Sequence, residues 1–383
     1  MIEHRKGTSL YQLIDRKKFD SLSLKWGMDK GVRSFSTWEM TQSLVTCFVM
    51  RLGSYREVES ALKIPDSTFG DALRSRSFGF FQELCDLILL EIRAKTNARK
   101  IKKAIRHLLA IDSSEIRVHG SLFNHESWRQ KSAIGHKASA KLHVVWNVND
   151  QWIEDFRVTG NRPHDLVAAK RLQLKEGAIY VFDRAYVDLK FWLDIIEAKA
   201  DFVTRLKRAP RKDEVHKYVL GSGDENKVGV LWVGEWTPSE AACYRNGIRP
   251  KQLKLRHVIY RDPQSKRTFD FITSDWTLAP EEIASIYKHR WSVELLFRWL
   301  KGHLDIRYFP TRTRNAVKVQ LAAAVLVQLL IQLKRIAEKY QGSLWELLRQ
   351  IRTASIQKSL QDSGPPDDCR WSAAPIQDFS LSC

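Results

Sequence analysis

The sequence has little of what holds small secreted proteins together. Only five of its 383 residues are cysteines, and no two of them form a CxxC pair. They are scattered along the chain, at Cys47, Cys85, Cys243, Cys369 and Cys383. This spacing predicts neither a zinc site nor a disulfide framework.

A long uninterrupted hydrophobic run is also missing. The most apolar segment lies between Lys318 and Lys334, and three glutamines interrupt it, Gln320, Gln328 and Gln332. A membrane span needs about 20 consecutive apolar residues, so this segment favours a buried helix. The first residues, MIEHRKGTSL, lack the apolar stretch of a secretory signal. We therefore expect a cytoplasmic protein with no membrane partner.

Acidic residues are too few to balance the basic ones. Lysine and arginine number 63 against 44 aspartates and glutamates, which gives a formal net charge of +19. Such a chain attracts polyanions, and nucleic acid is the leading candidate partner. The alternative is a basic soluble protein with no nucleic-acid role. The length of the chain predicts two or three structural units with a real core.

Residues 1–105 are predicted to form an all-α N-terminal domain that binds DNA. Helical apolar spacing with few helix breakers covers two longer segments, residues 35–52 and 78–95. Between them, two short helical segments meet at the tripeptide IPD, and Arg74 and Arg76 lie at the end of the second. This pattern is typical either of a DNA-binding helix-turn-helix or of an ordinary helical hairpin that packs on its neighbour.

Residues 106–206 change to an alternation of strands and helices. Two short apolar strands, within LLAIDSS and AIYVFDRAY, end at Asp112 and Asp183. A pair of strands joined at Asn149-Asp150, two helices and a last strand complete the order strand, hairpin, helix, strand, helix, strand. This order predicts an α/β fold with a mixed sheet and helices on its faces.

The rest of the chain is predicted to divide into four parts. Residues 207–275 are charged and turn-rich with strand-like pieces, which predicts a mostly β insertion. Residues 276–312 return to the α/β unit, and residues 313–361 form a helical C-terminal region. Residues 362–383 contain two adjacent prolines and several acids, and are predicted to form a poorly ordered tail.

One helical segment carries four polar residues at an unusual spacing. It reads YKHRWSVELLFRWLKGHL and contains Tyr287, Arg290, Glu294 and Lys301. An α-helix turns about 100° per residue, so these four side chains share a stripe roughly 60° wide beside an apolar face. One acid, two cations and a phenol on one stripe are able to hold a metal and a phosphate chain. The alternative is a salt-bridged, solvated helix face.

Three carboxylates complete the candidate catalytic centre. Ligands of α/β sheets gather at the carboxyl ends of strands, so we expect Asp112 and Asp183 to lie near each other and near Glu294. Taken singly, each aspartate is also typical of a turn or a helix cap. Three hard oxygen ligands without a Cys or His cluster suit Mg²⁺ or Mn²⁺ better than zinc. Two such ions, about 3.5–4 Å apart, activate an attacking oxygen and stabilise a leaving one in phosphoryl transfer.

These two strand ends and the helix YKHRWSVELLFRWLK together resemble the DDE transposases of the insertion sequence four family. The signature of that family is a Tyr, Arg, Glu, Lys series with the gaps of two, three and six residues seen here. The resemblance covers residues 105–340 of the sequence. It implies a ribonuclease H-like mixed sheet with the β insertion between the last two acids. It also implies that Asp112, Asp183 and Glu294 are the catalytic triad and hold two Mg²⁺ or Mn²⁺ ions.

The resemblance implies which residues contact DNA. Tyr287, Arg290 and Lys301 are expected to hold phosphates of the transposon end, because a guanidinium fork and an ammonium suit phosphate oxygens. A flipped base is expected to stack on an aromatic residue near the end of the insertion. Phe269 stands nearest that position and Trp276 lies close by, although both are also typical of a β core.

Several weaker candidates accompany these residues. Arg184, directly after Asp183, either approaches a phosphate or is a surface arginine. His164 and Asp165 stand where the family often carries a His-Asp pair before a helix, and Asp165 alternatively caps that helix. The others are Trp291, which packs or stacks on DNA, and the loop cations Lys207, Arg208, Arg211 and Lys212, which line a DNA path or are simply solvated.

The function that the resemblance implies is metal-dependent DNA transposition in a bacterial cytoplasm, at the nucleoid. Relatives bind inverted-repeat transposon ends in double-stranded DNA, cut them and join them to target DNA, some of them through a hairpin at the end. A homodimer is expected around two ends. Two alternatives stay open: a catalytically silent repressor derived from a transposase, and a ribonuclease H-like nuclease without strand transfer.

Overall fold

The computed structural model describes residues 9–97, 107–130, 137–162, 164–206, 215–221, 228–250, 252–309 and 311–362. The predicted tail after residue 362 and several residues named above lie outside the described residues: Lys207, Arg208, Arg211, Lys212, Cys369 and Cys383. The described cysteines, Cys47, Cys85 and Cys243, are free and buried.

Five helices form the N-terminal part of the chain. They are α1 (Arg16–Lys25), α2 (Thr37–Met50), α3 (Tyr55–Leu62), α4 (Asp66–Ser75) and α5 (Phe78–Asn97). Serines cap α2 and α3, because Ser36 and Ser54 each exchange hydrogen bonds with a glutamate three residues later. Pro65 lies directly before α4. The turn between the two short helices is therefore where the IPD tripeptide predicts it.

The remaining described chain forms a mixed sheet and further helices. In chain order these are β1 (Leu108–Val118), β2 (Ala138–Asn147), β3 (Trp152–Gly160), α6 (Asp165–Ala169), β4 (Ile179–Phe182), α7 (Leu189–Glu197), β5 (Asp201–Arg205), β6 (Val215–Gly221), β7 (Gly229–Trp236), α8 (Glu240–Arg245), β8 (Leu255–Arg261), β9 (Thr268–Thr273), α9 (Pro280–Lys288), α10 (Trp291–His303), β10 (Tyr308–Phe309), α11 (Arg314–Ala337) and α12 (Leu344–Asp362). The strand order is β3-β2-β1-β4-β5-β9-β8-β7-β6, and β10 pairs with the far end of β1. The central strands β1, β4 and β5 are parallel, while β2 and β3 form an antiparallel edge.

The predicted β insertion does not build a sheet of its own. It contributes β6 to β9, and β9 pairs antiparallel with β5. β8, β7 and β6 follow in turn, each antiparallel to its neighbour. The insertion therefore extends the central sheet, and backbone hydrogen bonds run without a break from the α/β unit into it.

Both faces of the sheet are buried. Leu109, Ile111 and Phe182 pack with residues of α7 in a core on one face. Leu108 and Ala110, which alternate with them along β1, join a larger core on the other face. That larger core includes residues of α11 and of the N-terminal helices. The N-terminal helices and α11 thus share one core, although the sequence analysis predicted an N-terminal domain separate from the C-terminal helices.

The helix α11 lies at the centre of this larger core. It packs against α2, α4 and α5 and against β3. By length and composition it is the one helix of the described chain able to cross a membrane, with a mean hydropathy of 1.8. However, 94% of its apolar window is buried inside the protein, as in the core helix that the interrupting glutamines predict.

Arg76 is a structural residue of the helical layer, which corrects its predicted role as a DNA contact. The helix α4 ends at Ser75, and the extended backbone at Arg76 turns this side chain toward the start of α2. Its guanidinium donates to the hydroxyl of Thr37 at 2.9 Å and to the carbonyl of Phe35 at 2.8 Å, and only 8% of the residue is exposed. Arg74 stays exposed and pairs with Asp71.

We expect Arg76→Ala to lower the free energy of unfolding by about 2 kcal/mol, because the buried carbonyl of Phe35 loses its donor. Urea unfolding measures this loss. Arg74→Ala, the matched control one turn earlier on the surface, should change stability by less than about 0.5 kcal/mol. Equal effects of the two substitutions would contradict the structural role of Arg76.

Candidate active site

Asp112 and Asp183 lie side by side, although only Asp183 follows the end of its strand. The predicted end at Asp112 is wrong, because pairing with β2 carries β1 on to Val118. Parallel pairing of β1 with β4 places Ile111 opposite Phe182, and each aspartate is the next residue of its chain. Neighbouring strands are about 4.8 Å apart, so the two backbones are adjacent here. Because Ile111 and Phe182 both face the α7 core, alternation turns the two aspartates toward the other face, where α10 packs against β1.

The predicted four-residue stripe lies on two helices and not on one. Tyr287 belongs to α9, Glu294 and Lys301 belong to α10, and Arg290 lies at the junction. There the N–H of Arg290 bonds to the carbonyl of Tyr287 at 3.1 Å, and that of Val293 bonds to the carbonyl of Arg290 at 3.3 Å. These bonds span three residues instead of four, and such turns rotate by about 120° per residue. The single-helix geometry therefore holds only within α10.

Arg290 nevertheless brings the stripe and the strand ends together. One terminal nitrogen of its guanidinium lies 2.6 Å from Oε1 of Glu294, and the other lies 3.7 Å from Oδ2 of Asp112. The guanidinium carbon is 6.0 Å from the centre of the Tyr287 ring. One half-buried cation thus contacts residues of β1, α9 and α10.

The pKa of Asp112 reflects its burial first and the neighbouring carboxylates second. Burial, aided by the charges of Asp183 and Glu294, raises the pKa of Asp112 from 3.8 to about 6. The backbone N–H of Ser113 and the charge of Arg290 oppose this shift. The three acids therefore interact electrostatically, as a shared site requires.

The donor chemistry of the site suits a hard divalent cation. All three acids offer carboxylate oxygens, and their repulsion is what a cation relieves. In the part of the chain that the structure describes, however, no three His, Cys, Asp or Glu side chains are grouped closely enough to hold a metal. Arg290 contacts both Asp112 and Glu294. Shared binding of a cation by these two acids therefore requires Arg290 to release at least one of them.

An open cavity of about 430 Å³ borders the acids. Its lining residues are Asp112, Ser113, Ser114, Glu294, Phe297, Arg298, Lys301 and Arg307. Burial lowers the pKa of Lys301, and Arg307 adds to this effect while Glu115 opposes it. Cations and acids thus line the same cavity, which is what binding and cutting a phosphate chain both require.

A second cavity, of about 420 Å³, borders Tyr287 and Arg290, and five of its eleven lining residues are aromatic. Its lining residues are Tyr260, Asp262, Phe269, Phe271, Glu281, Ala284, Ser285, Tyr287, Lys288, Arg290 and Trp291. The rings of Phe269 and Phe271 stack with centres 6.0 Å apart, and Phe271 lies 5.1 Å from Tyr287. Phe269 is therefore close to the predicted phosphate contacts, whereas Trp276 is exposed and does not line this cavity.

Arg205 is a functional candidate that the sequence prediction missed. It ends β5, and its guanidinium lies 4.5 Å from the ring centre of Phe269 and 5.8 Å from that of Tyr287. Its Nε is buried without a hydrogen-bond partner among the described residues. The rule that selects Asp112 and Asp183, a polar residue at a strand end, also selects Arg205.

The weaker candidates differ in their contacts. Arg184 is exposed in the 3₁₀ turn that follows Asp183. His164 caps α6, since its Nδ1 accepts the N–H of Leu166 at 3.4 Å. The alternative that Asp165 is the cap is therefore wrong, and its carboxylate contacts β1 and β2 instead.

Comparisons with known proteins find transposases. The family model described as "Transposase DDE domain" matches residues 104–330, and one described as a domain of unknown function (DUF4372) matches residues 8–67. A Sinorhizobium fredii protein named as a candidate transposase, y4zB, is 29% identical over 297 residues, with 77% of each chain covered. A Geobacillus stearothermophilus protein with the name "Probable transposase for insertion sequence element IS5377" is 26% identical, with 84% of this chain and 83% of that one covered.

Among solved structures, the piggyBac transposase synaptic complex with hairpin DNA aligns with 97% of this chain and 86% of that chain, at 12% identity and a TM-score of 0.48. The transposase family model spans more than half of the chain and includes Asp112, Asp183 and Glu294. The chain therefore belongs to the DDE transposase family.

Proposed function

We propose that this chain is the transposase of an insertion sequence, which binds the inverted-repeat ends of its element, cuts them and joins them to target DNA. The observation that carries the proposal is that Asp112 and Asp183 directly follow the last residues paired between β1 and β4, Ile111 and Phe182, with Glu294 linked to Asp112 through Arg290. The Tyr, Arg, Glu, Lys series supports a place in the insertion sequence four family, similar to the transposase of transposon five. The parallel strands that carry the aspartates support a ribonuclease H-like core.

Membership of the DDE family implies dependence on a divalent metal in general. In this chain Asp112, Asp183 and Glu294 would hold two Mg²⁺ or Mn²⁺ ions. When bound, such ions activate the attacking oxygen and offset the charge that develops at the scissile phosphate. The protein side chains position the DNA: Arg290 offers a planar fork to phosphate oxygens and Lys301 offers a point charge.

The aromatic cavity beside Tyr287 is the proposed receptor for a base extruded from the transposon end. Extrusion costs a few kcal/mol, and stacking on an aromatic face offsets about 1–3 kcal/mol of it. Phe269 supplies that face, and Arg205 lies over the same ring. This arrangement supports a hairpin route, with cut-and-paste transfer as the outcome. Trp276, with Arg184 and Arg74, is proposed as an exposed contact with DNA outside the cavity.

The proposed partners are double-stranded transposon ends and target DNA, and the proposed assembly is a homodimer that forms around two ends. The net charge of +19 supports a polyanionic partner. The proposed location is the nucleoid in a bacterial cytoplasm.

A plasmid carrying the two inverted repeats that flank the gene tests the function. With Mg²⁺ and the purified chain, we expect excision of the intervening DNA and its joining to a second plasmid. End binding without metal-dependent nicking would instead identify a silent repressor. Cleavage without joined products would identify a nuclease that lacks strand transfer.

Lys301→Gln should reduce the salt dependence of end binding. Each phosphate contact that is lost lowers the slope of log K against log salt by about one unit, because one fewer counterion is released. Fluorescence anisotropy with a labelled end, between about 50 and 200 mM salt, measures the slope.

The matched control for this measurement is Lys199→Gln. Lys199 lies before β5, at the opposite end of the strands from the acids, and is an exposed partner of Glu176. Its substitution should leave the slope unchanged. If Lys301→Gln also leaves the slope unchanged, Lys301 does not contact a phosphate.

A further inference from the structure

A second polar cluster lies directly behind the catalytic strand, on the opposite face of the sheet from Asp112. Its centre is Asp165, in the first turn of α6. One oxygen of Asp165 accepts hydrogen bonds from the hydroxyl of Ser113 and from the ammonium of Lys141, both at 2.9 Å. The same oxygen lies 3.8 Å from Nδ1 of His143, whose Nε2 is 2.8 Å from the hydroxyl of Thr159.

The register of the strands explains this convergence. Ser113 lies opposite His143, and Glu115 lies opposite Lys141, so these residues share one face of β1 and β2. Asp112 points to the other face. Asp165 therefore contacts β1 on the face opposite Asp112, through its hydrogen bond with Ser113, the next residue of the chain.

The backbone of β1 needs such support at this position. β1 pairs with β4 from Leu108 to Ile111, and with β10 only at Arg117 and Val118. Between these two stretches, and thus at Asp112, β1 has a backbone neighbour among the described strands on the β2 side alone. Asp112 lies at a gap in the sheet, where the ladder itself does not set its distance from β4.

The helix α6 also touches the segment that carries the second aspartate. It packs against the 3₁₀ turn Arg184–Tyr186, and Asp183 accepts the backbone N–H of Ala185 in that turn at 2.8 Å. Tyr186 is buried, and the charges of Asp112, Asp165 and Asp183 all act on its hydroxyl. One short helix thus contacts both strand ends of the active site.

We propose that Asp165 is a positioning residue for the reaction, which sets the separation of Asp112 and Asp183 by tying β1 and β2 to α6. The inference rests on the proposed function, in which these two acids share metal ions. Asp165 acts through Ser113 and through its ion pair with Lys141, and it contacts neither substrate nor metal itself. Loss of its charge removes the ion pair with Lys141 and leaves β1 free to shift along the stretch where it pairs with β2 alone.

The test compares Asp165→Asn with Asp188→Asn, which is a matched control. Asp188 also pairs with a lysine, Lys170, which directly follows α6 and lies at 2.9 Å, and it caps α7 by accepting the N–H of Phe191 at 2.8 Å. Its partners do not lie on β1. Both substitutions therefore remove one carboxylate with one lysine partner, but only the first releases the catalytic strand.

Mn²⁺ affinity, measured by isothermal titration calorimetry, is the readout. Partners that orient metal ligands typically change metal affinity by about 10- to 100-fold, so we expect a loss of that size for Asp165→Asn. Cleavage should recover in part when Mn²⁺ is raised, and end binding in EDTA should stay within twofold of the wild type. Asp188→Asn should leave Mn²⁺ affinity within twofold. Ser113→Ala removes the hydrogen bond between β1 and Asp165, and it should weaken Mn²⁺ binding to a lesser degree. This variant replaces Asp165→Asn in the test if Asp165→Asn does not fold.

Two outcomes would overturn the inference. One is a Mn²⁺ affinity unchanged in Asp165→Asn, or in Ser113→Ala where that variant replaces it, because the cluster then serves only stability. The other is an equal loss in Asp188→Asn, because the effect is then not specific to the catalytic strand. If the wild-type chain binds Mn²⁺ but cuts no transposon ends, the proposed function fails, and the metal affinities still decide the role of Asp165.

Discussion

Asp112→Asn should abolish metal-dependent cleavage of transposon ends, by about a thousandfold or more, while leaving end binding intact. Metal ions supply several kcal/mol of charge stabilisation in phosphoryl transfer, and each 1.36 kcal/mol corresponds to about tenfold in rate. An amide keeps the shape of the side chain but removes an anionic ligand. Single-turnover cleavage of a labelled end in Mg²⁺ measures the rate, and anisotropy in EDTA measures binding.

Asp155→Asn is the control for this substitution. Burial raises the pKa of Asp155 to about 6, as it does for Asp112, so the two acids are equally perturbed. Asp155, however, lies on β3, with Arg157 at 3.8 Å, and two strands separate it from β4. Its amide variant should cut within about threefold of the wild type. If both variants lose cleavage alike, a perturbed acidity and not metal binding would explain the effect.

Asp112→Asn should also make the metal-free protein more stable at neutral pH. The folded pKa of Asp112 is about 6 and lies above the usual 3.8, so the folded state keeps a proton that the unfolded state releases between these values. Stability contributed by this group is full below about pH 4 and falls as pH rises to about 6. Above that pH the cost is about 3 kcal/mol, at 1.36 kcal/mol per pH unit. Urea unfolding in EDTA at pH 4 and pH 8 should show the gain of Asp112→Asn at the higher pH only.

Local rules predicted the parts of this protein that depend on neighbouring residues in the chain. An apolar run followed by a polar residue predicted a strand end at Asp183, and β4 does end directly before it. The strand end predicted at Asp112 is wrong, because β1 continues to Val118. Asp112 instead follows the last residue of β1 that pairs with β4. The helices α2 to α5 followed from apolar spacing and turn residues. These features need no knowledge of distant contacts.

Other features depend on tertiary contacts, which a single sequence does not display. Arg76 looks like a surface cation at a helix end, but its burial depends on the carbonyl of Phe35, 41 residues earlier. The division between α9 and α10 leaves no proline or glycine in the sequence as a signal. The β insertion reads as a separate unit because nothing in its sequence states that β9 pairs with β5. In each case long-range packing overrides the local pattern.

Arg290→Met should lower cleavage and raise metal affinity, two effects of opposite sign. Its guanidinium contacts both Glu294 and Asp112, so a cation that binds these acids must first displace it. Without Arg290 this competition disappears, and Mn²⁺ affinity should rise several-fold. Cleavage should nevertheless fall about a hundredfold or more, because the scissile phosphate loses a charged donor in a protected site.

Calorimetry with Mn²⁺ at pH 8, which lies above the pKa of about 6 of Asp112, separates the two effects. Arg290→Lys should fall between wild type and Arg290→Met, since an ammonium keeps the charge but cannot bridge two acids or grip a phosphate with two parallel bonds. If metal affinity and cleavage fall together, Arg290 only orders the acids. If cleavage is unchanged, Arg290 does not contact the substrate. A rise in metal affinity with a fall in cleavage means that the guanidinium of Arg290 has two successive roles. It neutralises the acids before metal binds, and it then moves to the DNA. The repulsion between the carboxylates is thereby offset until the substrate arrives.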